Sequence, residues 1–173
     1  FTLFVSVPYT RVGSFGEYVK KDIASNKALN TSINPTNSMV VASLIRRLIE
    51  KENPFIVWGD GSAIRDFVYS EDVANAMIKI LQKKIKFPLN IGSGKGTSIK
   101  NLVKNILHTK YITKKPKVVF DRSKPSGDKK RVLDMKLAKK NGISCDTTLE
   151  IGLDKTIDWY LKSSKKITKK KYN

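Results

Sequence analysis

The chain has 173 residues, 40% of them hydrophobic, enough for one core of ordinary size or one incomplete domain and too few for two generous domains. Its 34 Lys and Arg against 15 Asp and Glu leave a net charge of +19, a balance compatible with nucleic acid, an anionic membrane or an anionic small ligand. The single cysteine, Cys145, excludes an internal disulfide and a thiolate metal cluster, and no apolar run approaches the roughly 20 residues that cross a bilayer.

Phe1 to Val7 reads as a strand. With no initiator Met and no basic stretch before an apolar run, it is expected to continue a longer chain and not to be a signal peptide. Gly13 to Asn37 mixes Gly, Ser, Asn, Lys and Pro with little periodicity, which is loop chemistry of unusual length. Ser38 is positioned to cap a helix through Met39, Val40, Leu44, Ile45, Leu48 and Ile49, with Arg46, Arg47 and Glu50 on its more exposed side and Asn53-Pro54 ending it. Phe55 to Trp58 reads as a short strand stopped by the turn Gly59-Asp60-Gly61-Ser62, and Asp66 to Tyr69 as a second strand.

Ser70-Glu71-Asp72 opens a predicted helix to about Lys84, with Val73, Ala76, Met77, Ile80 and Leu81 facing inward. Leu89 to Gly94 reads as a strand entering a glycine turn, and Ser98 as the cap of a helix that buries Ile99, Leu102, Val103, Ile106 and Leu107. Then come a strand at Val118 to Phe120, a polar turn at Ser123 to Asp128, a short helix near Met135 to Lys140, and a final helix through Ile151, Leu153, Ile157 and Trp159. Alternating strands and helices make the expected class α/β.

The lysines are scattered over exposed helix positions, and the densest run, Lys165-Lys166 with Lys169-Lys170-Lys171, follows the last apolar residues as a solvated basic tail. With no zinc-finger spacing, no aromatic RNA-binding strand and no basic-leucine heptad, neither nucleic acid nor membrane is expected as a partner, and a reducing cytoplasm is the expected compartment.

Two segments place fixed positive charge beside loops. In Trp58 to Phe67, an indole and the Arg65 guanidinium flank a glycine turn, and that combination suits a nucleotide: the ring supports a base or sugar, and the fork clamps a diphosphate. The plainer alternative is a core Trp58 and an Arg65 paired with Asp66 or Asp60. Lys124-Pro125-Ser126-Gly127 with Asp128 to Arg131 is a rigid cationic turn, usable for phosphate or sugar hydroxyls or simply a surface turn. Gly92-Ser93-Gly94-Lys95-Gly96 lacks the Gly-Lys-Ser/Thr ending of a phosphate loop, and no G-x-G-x-x-G spacing occurs. His108 and Cys145 have no partners in spacing, and no carboxylate pair is placed as acid and base, so no residue of this chain is expected to be catalytic or to hold a metal.

In order along the chain, Val7 to Gly13, Asn37 to Arg47, Val57 to Gly61 with Arg65-Asp66-Phe67, Asn90 to Gly94, Phe120 to Gly127, and Leu149 to Leu153 with Thr156 and Trp159-Tyr160 resemble one family pattern. It is the carboxy-terminal half of the extended short-chain dehydrogenase/reductases, the NAD-dependent epimerase/dehydratase family, closest to its GDP-L-fucose synthase branch. The resemblance covers nearly the whole chain. It implies the C-terminal part of an extended Rossmann-type fold: residues 1–12 as the last part of the dinucleotide-binding sheet, 13–160 as a substrate-binding region, and 161–173 as a basic tail.

By the same resemblance, Arg47, Trp58, Arg65, Lys124 and Ser126 are expected to contact a nucleoside-diphosphate sugar, GDP-linked, with Arg65 on the diphosphate. Pro8, Tyr9, Thr10, Arg11 and Met39 face NAD or NADP, a cofactor bound mainly by a missing amino-terminal half of a parent that is a homodimer. Met39 stands where the family has a histidine acid, and a thioether donates no proton, which argues against a fucose-type double epimerisation. Thr10 replaces an Asn, Ser126 an Asp, and about fifteen extra residues lie between Pro8 and Met39 by comparison with the pattern. The Tyr-x-x-x-Lys pair is absent, since Tyr18 is followed by Asp22 where Lys belongs, so this stretch by itself is expected to be inactive. A non-catalytic nucleotide-sugar or polyanion binding module is the alternative.

Overall fold

The computed structural model describes residues 4–6 and 40–170. In chain order the elements are β1 (Phe4–Ser6), α1 (Val40–Ile49), β2 (Phe55–Trp58), β3 (Ile64–Tyr69), α2 (Ser70–Gln82), β4 (Gly96–Ser98), α3 (Ile99–Leu107), β5 (Val118–Asp121), β6 (Lys130–Arg131), α4 (Lys136–Lys140) and α5 (Leu149–Lys170). Strand and helix alternate as the apolar periodicity predicts, and the class is α/β.

β3 is the hub. Its first half lies between β4, antiparallel with Arg65 opposite Thr97, and β6, parallel with Arg65 opposite Arg131. Its second half pairs antiparallel with β1, Phe4 opposite Tyr69. A separate pair joins β2 and β5 in parallel, from Phe55 opposite Val118 to Trp58 opposite Asp121. Such a pair needs a crossover, and α3 lies within the connection.

One core gathers Val41, Leu44, Ile45 and Leu48 of α1, Phe55 and Val57 of β2, Leu102, Val103 and Ile106 of α3, and Leu153 and Ile157 of α5. Ser98 caps α3 as its position predicts, its side chain accepting from the Asn101 amide at 3.1 Å. A second cluster joins Ala76 of α2 to Leu89, Ile91, Met135, Ala138 and Ile143. Cys145 packs against it, and burial pushes its thiol up to about 11, so it stays protonated and unreactive at neutral pH.

Several expectations are corrected. Leu89 to Gly94 forms no strand: Leu89 and Ile91 are buried in the second cluster, while the Ser93 and Gly94 amides donate to the Asp66 carboxylate at 2.9 and 3.0 Å. Its apolar signal came from burial and not from a ladder. Gly96, read as part of a turn, instead belongs to β4, where a Cβ would stand 2.7 Å from Ile64 Cγ2. Arg46 and Arg47 are less exposed than the helical face suggests, their side chains at 15% and 21%. Leu81 was expected inward but is 67% exposed, because only the Ala76 side of α2 meets the second cluster. The helical backbone of α5 runs to Lys170, because no Gly or Pro interrupts the residues after Gly152.

Three helices end alike. The amide of Lys51 donates to the Leu48 carbonyl and that of Glu52 to the Arg47 carbonyl; Lys84 with Ile85 closes α2, and Gly142 with Ile143 closes α4, in the same double pattern. The pivot is left-handed at φ 61, 53 and 72. Glycine fits this conformation and lysine is strained in it. Lys84→Gly is therefore expected to raise stability by about 0.5–1 kcal/mol, and Gly142→Lys to lower it by a similar amount, read as shifts of the urea midpoint at constant slope. Opposite signs would mean that the lysine side chains stabilise their caps by more than the backbone strain costs.

Candidate functional site

Parallel pairing of β2 with β5 puts the turns that follow them side by side. Trp58 and Asp121 are the last paired residues, and the Gly59 amide still donates to the Asp121 carbonyl at 2.9 Å. Each turn is closed by its own aspartate. Asp60 Oδ1 accepts from the amide and hydroxyl of Ser62 at 2.9 and 2.6 Å, and Asp121 Oδ1 from those of Ser123 at 3.0 and 2.6 Å. These bonds favour the ionised form and hold both carboxyls below the usual carboxylate range, led by the serine hydroxyl in each case.

Contact between the turns is close enough to require glycine. A Cβ at Gly59, where φ is +78, would lie 2.5 Å from Ser126 Oγ, and one at Gly61 2.5 Å from the Phe120 ring. Trp58 is 66% exposed, since alternation along β2 sends Phe55 and Val57 into the core. Lys124 Nζ stands over its ring, 5.9 Å from the centroid. The core-Trp alternative is thereby overturned.

Arg65 projects from β3 toward the second turn. Its Nη1 donates to the carbonyls of Ile64 and Asp128 at 2.8 and 2.7 Å, and a Cβ at Gly127 would approach its Nη2 to 3.2 Å. It forms no ion pair among the described residues: Asp60 is held by Ser62, and the Asp128 carboxylate pairs with Arg131. The paired-arginine alternative fails with it. The Nε and Nη2 edge has no acceptor among the described residues, which leaves one planar, two-donor edge for an anion.

Asp66 works the other side of β3. Only 5% exposed, it accepts from Ser93 N and Oγ, Gly94 N and Leu133 N at 2.9, 2.6, 3.0 and 3.3 Å. It therefore pins the Gly92–Lys95 turn and the chain after β6, and so supports the strand that carries Arg65. Sequence reasoning placed Asp66 at the start of a strand and in the family pattern, and gave its carboxylate no partner but Arg65. The signal was the pairing of an acidic residue with a downstream Gly-Ser-Gly.

Of the sequence-selected residues, Trp58, Arg65, Lys124 and Ser126 are thus brought together. Arg47 is engaged elsewhere: it donates to the Glu52 carboxylate through Nε at 2.6 Å and through Nη2, to the Ile56 carbonyl at 2.6 Å, and lies 4.8 Å from the Phe55 ring centroid. That pairing holds Glu52 below the usual carboxylate range. Pro8, Tyr9, Thr10, Arg11 and Met39 lie outside the described residues. His108 caps α3, Nδ1 2.7 Å from the Lys104 carbonyl. No group of His, Cys, Asp and Glu among the described residues is arranged to hold a metal.

A profile of the NAD dependent epimerase/dehydratase family matches residues 24–92. The chain is 32% identical over 139 residues to GDP-L-fucose synthase 1 of Arabidopsis thaliana, covering 78% of this chain and 42% of the relative. It is 30% identical over 146 residues to GDP-L-fucose synthase of Escherichia coli strain K12, covering 76% and 45%. Among solved structures, UDP-glucose 4-epimerase with UDP-glucose from Thermotoga maritima superposes with a TM-score of 0.62 at 31% identity, over 73% of this chain and 40% of that one. The chain thus spans less than half the length of the relatives it matches. Its mixed α/β, Rossmann-like architecture, together with these matches, gives this chain the fold of the NAD-dependent epimerase/dehydratase family.

Proposed function

We propose that this chain contributes the nucleoside-diphosphate-sugar site of an NAD- or NADP-dependent epimerase, dehydratase or reductase, with a GDP-linked sugar as the substrate favoured by its resemblance to the fucose synthases. The supporting observation is the meeting of two glycine turns that presents an exposed indole, a lysine above it and the unoccupied edge of Arg65 on one surface. Trp58 takes the base or sugar face, the Nε and Nη2 edge of Arg65 takes the diphosphate, and Lys124 and Ser126 cover the ligand from the second turn. Arg47 stays committed to Glu52 and the Ile56 carbonyl, and this reading gives it no contact with the ligand.

The glycine turn after Ile91 does not fit the pyrophosphate of a dinucleotide. In the Gly92–Lys95 turn, a Cβ at Gly92 would meet Asp66 Oδ2 at 2.9 Å, so a carboxylate occupies the concavity where a pyrophosphate would need donors. The cofactor, faced by Pro8 to Arg11 and Met39, belongs in this reading mainly to a longer parent, a cytoplasmic homodimer. No helix among the described residues is long and apolar enough to cross a membrane.

Trp58 itself reports the test. Titrating GDP-mannose, GDP and UDP into the chain is expected to give saturable quenching that disappears in Trp58→Phe, with Trp159 as the constant background. No response to any nucleotide would refute the site. A response matched by inorganic pyrophosphate and heparin, falling steeply with salt, would instead establish the polyanion-binding module that the +19 charge allows.

A further inference from the structure

A second concave site lies at the opposite end of the β2–β5 pair. The nucleotide surface follows Trp58 and Asp121, where the strands end, whereas this cavity opens before Phe55 and Val118, where they begin. Four residues of strand separate the two by about 10 Å, so one ligand does not fill both. The cavity measures about 350 Å³, at the lower end of the range for small-molecule pockets.

Its composition is divided. Leu48 of α1, Ile112 of the α3–β5 connection and Leu161 of α5 supply an apolar interior, while Lys51, Lys114 and Lys115 stand exposed at the mouth. The carboxylate among the lining residues is Glu52, and the Arg47 fork already neutralises it. The rim therefore carries three lysines with no carboxylate partner among the lining residues, over an apolar floor. Both lips are anchored: the cap of α1 fixes the backbone of Lys51, and Asn53 Oδ1 accepts from the Lys117 amide at 3.1 Å, tying the two loops together.

We propose that this cavity binds a small amphiphilic anion, an apolar body of about ten carbons inside with one carboxylate or phosphate head among Lys51, Lys114 and Lys115. The apolar body removes the half-buried Ile112 and Leu161 from water and packs on the buried Leu48, and the head replaces solvent at the lysines. Neither half suffices alone: a bare anion leaves the floor wet, and a neutral apolar molecule leaves the rim without a counter-charge.

Decanoate, decyl phosphate and decanol are titrated into the full 173-residue chain, with binding read by calorimetry and by backbone amide shifts. The expected result is one-to-one binding of at least one of the two anions, with shifts at Leu48, Ile112, Lys114 and Leu161, and decanol about tenfold weaker. Which anion binds tighter distinguishes an acyl carboxylate from a phosphate ester as the natural source. Lys114→Glu with Lys115→Glu, both on an exposed loop, is expected to weaken binding about tenfold or more. Ile112→Trp, which fills the floor, is expected to abolish it while GDP binding at Trp58 is retained. Shifts centred on the exposed Ile78 and Leu81 of α2, equal affinity for decanol, or unchanged affinity in the charge-reversed variant would each overturn the proposal.

Discussion

Asp66→Ala is expected to be the most damaging single substitution, lowering the stability of the chain by about 3–5 kcal/mol. The carboxylate is 5% exposed and takes four hydrogen bonds, from Ser93 N and Oγ, Gly94 N and Leu133 N. Removing it leaves the Ser93, Gly94 and Leu133 amides without their acceptor at a partly buried site, at about 1–3 kcal/mol each before relaxation, while Ser93 Oγ keeps the Lys95 carbonyl at 3.4 Å. A loss of this size is a large fraction of the roughly 5–15 kcal/mol that holds a domain together. Urea denaturation followed by far-UV circular dichroism measures it. Asp66→Asn, which keeps one acceptor oxygen, should fall between wild type and alanine. A midpoint for Asp66→Ala within about 0.5 kcal/mol of wild type would mean that water reaches Ser93, Gly94 and Leu133, and that the turn is not supported from β3.

Arg65→Ala is expected to act on affinity more than on stability. Its Nη1 bonds are to two carbonyls, Ile64 and Asp128, at a partly exposed position, so truncation should cost the fold about 1 kcal/mol. Affinity for a nucleoside-diphosphate sugar should fall by about 2–5 kcal/mol, the scale for removing one member of a hydrogen-bonded charge pair. Arg65→Lys should recover only part of this. An ammonium can still reach the Asp128 carbonyl but has no planar edge with two parallel donors. Calorimetry with GDP-mannose on the three variants tests the order. If alanine binds as well as arginine, the diphosphate is held elsewhere and the proposed site is wrong.

Most helices were readable because their signal is local. The spacing of Leu44, Ile45 and Leu48, and of Leu102, Val103 and Ile106, marks a buried face within one or two turns, and those residues are buried. The strands Phe55–Trp58 and Val118–Asp121 were visible for the same reason. β4 and β6 were not. Gly96–Ser98 and Lys130–Arg131 are short and, Thr97 apart, lack β propensity, and they are strands only because β3 lies between them. Leu89 and Ile91 misled in the other direction: apolar residues flanking one polar residue suit a strand, but burial in the second cluster satisfies them without a ladder.

The candidate site divides along the same line. Trp58, Arg65, Lys124 and Ser126 could be selected as residues because indole, guanidinium and glycine turns have intrinsic chemistry. Arg47 was selected with them, yet its guanidinium is committed to Glu52 and the Ile56 carbonyl. Family resemblance carries a position across without its hydrogen-bond partners, and here the partners decide what the side chain is free to do.

Sequence alone determined the α/β class, the core-facing positions of α1 and α3, the Ser98 cap of α3, and the residue types able to hold a nucleotide. Only the tertiary structure decided that Arg65 turns one edge to a backbone carbonyl 63 residues away and keeps the other open, and that Lys124 stands over Trp58. The reason is physical. Periodicity and capping depend on neighbours a few residues apart, whereas the meeting of the two turns depends on the parallel register that sets Trp58 against Asp121, and no local preference encodes that register.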